Sequence, residues 1–170
     1  EWMDLEFTKP INALAMIQVL QGTLPQGLKL LSASEVPVKG LSLSQELSAA
    51  RWSFSLEANS KQIPTKNEWE LAVQEIINAK ELLWRDRDKK GKQRIKDFKE
   101  SLHSLEIESV RKVNQDGLLK TSVHLKLLTL IDPCGRSIKP MQVQHWAEEK
   151  FGSPLIISNL KRQELLLHQC

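Results

Sequence analysis

The side chains with the clearest chemical potential lie in one segment, residues 85–99. Eight lysines and arginines and three aspartates give this segment a charge of +5, whereas the whole chain carries +3. The rest of the sequence therefore has a net charge of −2. Clustered Lys and Arg side chains can contact phosphate oxygens and release counterions, which gives binding that weakens with salt. The pattern indicates a surface for phosphate or RNA.

One tryptophan next to this segment could add an aromatic contact. Trp84 stands beside Arg85 and offers a flat surface on which a base can stack. Two other interpretations stay open: a surface that faces another protein, and a solvated edge on which lysines prevent aggregation. The interleaved aspartates weaken the cationic field and favour the solvated edge. The residues predicted to bind nucleic acid are Trp84, Arg85, Arg87, Lys89, Lys90, Lys92 and Arg94.

The other reactive side chains form no recognised catalytic or metal-binding motif. The four histidines fall on different predicted elements, without the close ligand pair that zinc sites usually contain. His124 lies on the polar face of a predicted strand, where it either extends a basic surface or is solvated. Cys134 is either a nucleophile without a sequence-linked base or an ordinary loop thiol. The glutamate pairs at 106/108 and 148/149 are interpreted as solvated carboxylates. We therefore predict no catalytic residue and no metal ligand.

Composition limits the class of protein. Hydrophobic residues make up 41% of the 170 and charged residues 26%, as in ordinary folded domains. No apolar run approaches the roughly 20 residues of a membrane span, so no membrane partner is predicted. The two cysteines lie outside any CxxC pair, which favours a cytoplasmic location over a secreted disulfide scaffold. The chain opens without Met and already alternates like a strand, so we expect a piece of a longer polypeptide.

A β-hairpin is the element that would present the cations. Two alternating arms within residues 82–98, which we call the basic hairpin, flank a turn at residues 88–91. Gly91 can supply the positive φ that such a turn often needs. Leu83, Arg85 and Arg87 share one face of the first arm, opposite Trp84 and its neighbours. The spacing predicts a hairpin with a cationic tip.

Elsewhere, apolar periodicity and cap residues predict alternating strands and helices. Thr65 and Glu68 form a capping-box pattern at the start of one helix. The clearest strand covers residues 119–127, with its odd-numbered side chains facing the core. The predicted strands are 2–7, 28–36, 52–57, 102–110, 119–127, 155–157 and 164–167, and the predicted helices start at Pro10, Ser42, Thr65 and Pro140.

The order of these elements predicts an α+β protein. We expect an antiparallel sheet with helices packed on one face, built from tandem ferredoxin-like units. Residues 1–40 would be the C-terminal half of a first, truncated unit. Residues 41–170 would be a second, nearly complete unit.

Several short motifs resemble one bacterial family of unknown function, the radical-SAM-linked domain. The motifs are LPQGL at 24–28, SEVPVK at 34–39, SL at 42–43, AARW at 49–52, KKG at 89–91 with Asp97, and LKRQEL at 160–165. Members of that family are fused to the C-terminus of B12-binding-type radical SAM proteins, or lie beside them. The family's N-terminal part, rich in Arg, His and aromatic residues, is absent from this sequence.

The resemblance implies a radical SAM protein as partner, fused or adjacent. That partner would carry the [4Fe–4S] cluster, S-adenosylmethionine and cobalamin, because this chain lacks the three-cysteine motif that holds such a cluster. We therefore predict a non-catalytic accessory domain that binds or presents an RNA-type substrate through the basic hairpin. The alternative is a protein-docking module for the radical SAM partner that uses apolar surface such as Trp2. An enzyme would need Cys134, a histidine and a carboxylate to meet in the fold.

Overall fold

The computed structural model describes residues 3–36, 40–58, 64–87, 91–115 and 118–168. The chain divides into two compact units, Glu1–Leu43 and Ser44–Cys170. Within the described ranges, no helix combines the length and apolar character needed to cross a membrane.

The first unit contains one helix, α1, at Ala13–Gln21. Asn12 caps it, because its Oδ1 accepts hydrogen bonds from the backbone N–H groups of Leu14 at 2.9 Å and Ala15 at 3.2 Å. The helix predicted to begin at Pro10 therefore starts three residues later. An Asn cap satisfies two N–H groups at the helix start, which proline at the same position cannot do.

Neither strand predicted in the first unit is formed among the residues that the structure describes. Residues 3–7 and 28–36 lack ladder partners, and Met3 and Leu31 are 69% and 87% exposed. The backbone N–H of Leu30 instead donates to Gln21 Oε1 at 2.9 Å. Alternation indicates which face a strand would bury, but a strand also needs a partner strand. The tandem ferredoxin-like arrangement is thus not confirmed.

The second unit holds the sheet. The helix predicted from Ser42 is a single turn, α2 (Leu43–Glu46), because pairing on both sides draws the chain into a strand from Leu47 onward. The two segments predicted as final strands form one continuous strand. The elements that follow α2 are β1 (Leu47–Ala58), α3 (Lys66–Asn78), β2 (Leu83–Arg87), β3 (Gln93–Asp97), β4 (Leu102–Gln115), β5 (Leu118–Leu130), α4 (Pro140–Phe151) and β6 (Leu155–Leu167).

Four strands form an antiparallel sheet in the order β4-β5-β1-β6, and β2 and β3 form a separate hairpin. Without that hairpin, the order is strand, helix, two strands, helix, strand, the split βαβ arrangement. The α+β class and the antiparallel sheet are confirmed. The basic hairpin is inserted between α3 and the second strand of the sheet.

One face of the sheet carries the hydrophobic core with both long helices. Trp69 and Val73 of α3 and Val143 of α4 belong to one buried cluster with Phe54 and Leu125 of the sheet. Thr121, Val123, Leu125 and Leu127 are all buried, as the odd-numbered face of the predicted strand requires. The intervening side chains face the other side of the sheet, which is polar.

The predicted capping box at α3 is present. Glu68 N–H donates to Thr65 Oγ1 at 3.3 Å, and Thr65 N–H donates to Glu68 Oε2 at 2.7 Å. Hydrogen bonds from the Thr65 backbone and then its side chain lower the pKa of Glu68. Ionised Glu68 therefore stabilises the folded protein above the ordinary carboxyl pKa. This contribution is lost as the pH falls through the lowered pKa.

We expect Thr65→Ala to destabilise the protein by about 1 kcal/mol at neutral pH, because the N-cap hydroxyl is lost. Urea unfolding followed by far-UV circular dichroism measures this change. Thr65→Ser keeps the hydroxyl and is the matched control. Equal losses in the two variants would contradict a capping role.

Candidate nucleic-acid interface

The basic hairpin forms as predicted. Strand β2 pairs antiparallel with β3 from Leu83 opposite Asp97 to Arg87 opposite Gln93. Gly91 has φ of +77°, the left-handed conformation that glycine tolerates without strain. The tip, residues 88–90, lies outside the described residues, so Lys89 and Lys90 have no structural description.

Hydrogen bonds hold the base of the basic hairpin in place. Asp97 Oδ1 accepts the backbone N–H of Leu82 at 2.7 Å and that of Lys99 at 2.9 Å. The indole Nε1–H of Trp146 on α4 donates to the Leu83 carbonyl at 3.1 Å. These bonds join both strand ends and the helix layer, so the hairpin starts from a fixed base.

Trp84 packs against helix α4. Its ring meets that of His145 edge to face, with centroids 5.3 Å apart and an interplanar angle of 88°. It is half-buried and lies against the hydrophobic core. Trp84 therefore helps to anchor the hairpin, and base stacking on its remaining surface stays a prediction.

The structure describes some of the other predicted residues. Arg85, Lys92 and Arg94 are exposed, whereas the side chain of Arg87 is not among those that the structure describes. Lys96 Nζ pairs with Asp86 Oδ2 at 2.8 Å, so this cation is partly neutralised within the hairpin. The described cations of the predicted site lie on one hairpin, as the sequence indicated, and their contact with RNA is untested.

A groove of about 880 Å³ lies between the basic hairpin and helices α3 and α4. Its lining holds both a cation and carboxylates: Lys150 pairs with Glu75 at 2.5 Å, and His145 Nε2 lies 3.3 Å from Glu149 Oε1. Arg85 also lines it, with apolar Ile95. This balance of charge is less favourable for phosphate than the hairpin surface is.

A second polar cluster lies on the face of the sheet opposite the helices. His124 Nε2 is 2.8 Å from Ser53 Oγ, and Nδ1 is 3.0 Å from Ser55 Oγ. Glu108 Oε2 lies 3.2 Å from His124 Nε2, and Glu108 Oε1 lies 2.5 Å from Lys126 Nζ. The sequence placed His124 on a polar face, but it did not indicate that β1 would lie beside β5.

Two of the paired glutamates, interpreted as solvated, also have partners within the protein. A hydrogen bond from Lys126 is the main cause of the lowered pKa of Glu108. Glu148 Oε1 accepts the backbone N–H of Leu155 at 2.8 Å, at the start of β6. Glu108 lies at a β-bulge between Ile107 and Ser109 and lines the same pocket as His124.

Cys134 is exposed in the turn that was predicted around it. Desolvation acts to raise the pKa of Asp132, but hydrogen bonds from the backbone and guanidinium of Arg136 outweigh it, so the pKa is lowered. Cys134 lines neither the groove nor the sheet-face cluster. Across the described part of the chain, no three His, Cys, Asp or Glu side chains are grouped to hold a metal ion.

Fold and site together define a small α+β domain with an inserted basic hairpin. The chain belongs to a family described as uncharacterized protein conserved in bacteria (DUF2344), whose model matches residues 1–140. The match includes the basic hairpin and confirms the predicted membership of a bacterial family of unknown function. No curated protein and no solved structure matches the chain.

Proposed function

We propose that this chain is a cytoplasmic accessory domain of a radical SAM system that binds or presents an RNA-type substrate through the basic hairpin. The observation that carries the proposal is the concentration of charge: residues 85–99 hold +5 in a chain of +3. The family motifs named above support the radical SAM link. The hairpin itself performs no chemistry.

A radical SAM partner, fused or adjacent, would supply the cluster, S-adenosylmethionine and cobalamin. With only two cysteines, Cys134 and Cys170, this chain does not fit a three-cysteine cluster motif. Its own task would be to hold the RNA near the partner. The radical chemistry would take place on the partner.

The hairpin geometry suits electrostatic binding of a flexible strand. Asp97 and Trp146 fix the hairpin base, so less ordering entropy is lost when RNA binds. Arg85, Lys92 and Arg94 are exposed along the same element. For four phosphate contacts, the logarithm of the affinity should fall with the logarithm of salt concentration with a slope of about −3.

Charge reversal at the tip and at its two flanking cations should strongly weaken this binding. Replacing Arg87, Lys89, Lys90 and Lys92 with Glu should weaken binding of a labelled single-stranded RNA by roughly a hundredfold or more at about 50 mM salt. Fluorescence anisotropy over a salt series measures both the affinity and the slope.

The matched control reverses Lys9, Lys29, Lys66 and Lys80, four exposed cations outside the segment 85–99. Both variants have the same net charge, so a general loss of attraction would affect them equally. Unchanged RNA binding in the hairpin variant, or an equal loss in the control, would refute the proposal.

Apolar exposure on the basic hairpin supports a second candidate, a docking module for the radical SAM partner. Leu83 is 47% exposed and Ile95 is 64% exposed, although both lie in a strongly charged element. Such side chains would bind protein with little dependence on salt, and Trp2 is a separate candidate contact. A pull-down with the partner at low and high salt separates the candidates: retention at high salt favours docking, and salt-sensitive RNA binding favours the first proposal.

A further inference from the structure

The polar face of the sheet contains a pocket of about 650 Å³. Strands β1, β4 and β5 line it with Ser55, Glu108 and His124, and cationic Arg111 and Lys120 also contribute. All of these residues belong to the second unit. The RNA-binding proposal uses none of them.

Irregular backbone borders this pocket on two sides. The bulge between Ile107 and Ser109 brings both Glu108 and Ser109 into the lining. On the other side, Asn159 in β6 adopts φ of +52° where the pairing with β1 shifts register. Bulges at such positions re-aim side chains and occur often beside active sites.

The surroundings of His124 determine which ring nitrogen carries the proton. Lys126 holds Glu108 at 2.5 Å and keeps its pKa low, so Glu108 is ionised at neutral pH. An ionised carboxylate only accepts hydrogen bonds, so His124 Nε2, 3.2 Å away, carries the proton. Nδ1 is then the acceptor that faces Ser55 Oγ at 3.0 Å.

This order of groups is that of an activated nucleophile: a hydroxyl, an imidazole base, and a carboxylate that orients the base. Ser53 also contacts His124, but through the protonated nitrogen Nε2, at 2.8 Å. Its hydroxyl therefore cannot pass its proton to His124 while Nε2 is protonated. The two serines are chemically distinct although both hydrogen-bond the same ring.

We propose that Ser55 is the nucleophile of a site that hydrolyses carboxylic esters, with His124 as general base. As Ser55 Oγ attacks the ester carbonyl, its proton passes to His124 Nδ1 and an Oγ–carbon bond forms. The bond to the alcohol oxygen then breaks, and the proton from His124 passes to the departing alcohol. Water next attacks the acyl-serine with His124 again as base, which releases the carboxylic acid and regenerates Ser55.

The cations of the pocket fit the charge that develops in this reaction. Negative charge grows on the carbonyl oxygen during attack, and cationic or hydrogen-bonding groups near it lower the barrier. Arg111 and Lys120 line the same pocket as Ser55. Glu108 is a positioning residue, because it acts through His124.

The test is covalent labelling of the 170-residue chain with a fluorophosphonate probe, together with hydrolysis of 4-nitrophenyl acetate. We expect one adduct, located on Ser55 by peptide mass spectrometry, and hydrolysis above the buffer rate. Ser55→Ala should abolish both. His124→Gln should slow both by about a hundredfold, the usual contribution of a general base.

Ser53→Ala is the matched control, since it removes an equally buried hydroxyl from the same ring. It should keep the adduct on Ser55 and lose far less activity than Ser55→Ala, because Glu108 still holds His124 Nε2. Glu108→Ala should change the ¹⁵N chemical shifts of His124 from the Nε2–H form to a tautomer mixture, which a purely structural role would not predict. Unfolding by urea confirms that each variant is folded.

The absence of an adduct on the folded wild-type chain would overturn the proposal. An adduct on another residue, or an equal loss in Ser53→Ala and Ser55→Ala, would also overturn it. None of these results would bear on the RNA-binding proposal, because the hairpin variants that test it leave the pocket residues unchanged.

Discussion

Replacing Trp69 with Ala should destabilise the protein by about 3–5 kcal/mol, the usual cost of removing a large buried aromatic side chain. Trp69 is 1% exposed in helix α3. Its ring meets Phe151 of α4 edge to face, with centroids 4.6 Å apart. The substitution would leave a cavity between the helix layer and the sheet, and urea unfolding measures the loss.

Trp69→Phe is the informative comparison. The indole Nε1 of Trp69 is buried and has no hydrogen-bond partner among the described residues. Phenylalanine removes that unsatisfied donor and keeps an aromatic ring, so its cost should be clearly smaller than that of alanine. If Trp69→Ala cost less than about 1 kcal/mol, the core as described would be wrong.

Thr129→Val should cost about 1–3 kcal/mol although the two side chains have nearly the same shape. Thr129 is fully buried in β5, and its Oγ1 accepts the backbone N–H of Ile138 at 3.0 Å. The same hydroxyl donates to the Ser101 carbonyl at 3.0 Å. Valine would leave both backbone groups without this partner, and urea unfolding again gives the change.

Thr129→Ser keeps the hydroxyl and loses one methyl group, so it is the matched control. We expect a loss of about 1 kcal/mol from the missing methyl group. A valine variant as stable as the wild type would show that the hydroxyl bridge between Ser101 and Ile138 adds nothing to stability. A larger loss of stability in Thr129→Ser than in Thr129→Val would also contradict a stabilising role of the hydroxyl.

Local patterns predicted the second unit well. Side chains in β5 alternate between core and polar faces, so Val123 and Leu125 were correctly placed in the core. The capping box at Thr65 located the start of α3, because its two hydrogen bonds lie within four residues. Turn chemistry at Gly91 and two alternating arms predicted the basic hairpin.

Local sequence patterns gave wrong predictions where an element depends on pairing with a strand that is distant in the sequence. Residues 3–7 alternate like a strand, but they pair with no strand among the described residues. The helix predicted from Ser42 ends after one turn, because β6 pairs with Leu47 and β5 pairs with Ala49. Strand pairing between segments more than 70 residues apart overrides local preference in such cases.

By itself, the sequence determined the α+β class, the basic hairpin and the location of its charge, because these depend on neighbouring residues. Only the tertiary structure decided which of the remaining polar residues meet. Glu108 and His124 are 16 positions apart, and Ser55 is separated from His124 by 69. Pairing of β5 with both β1 and β4 brings the three together. Side chains on adjacent strands meet across the sheet, and no spacing rule in one sequence specifies which strands are adjacent.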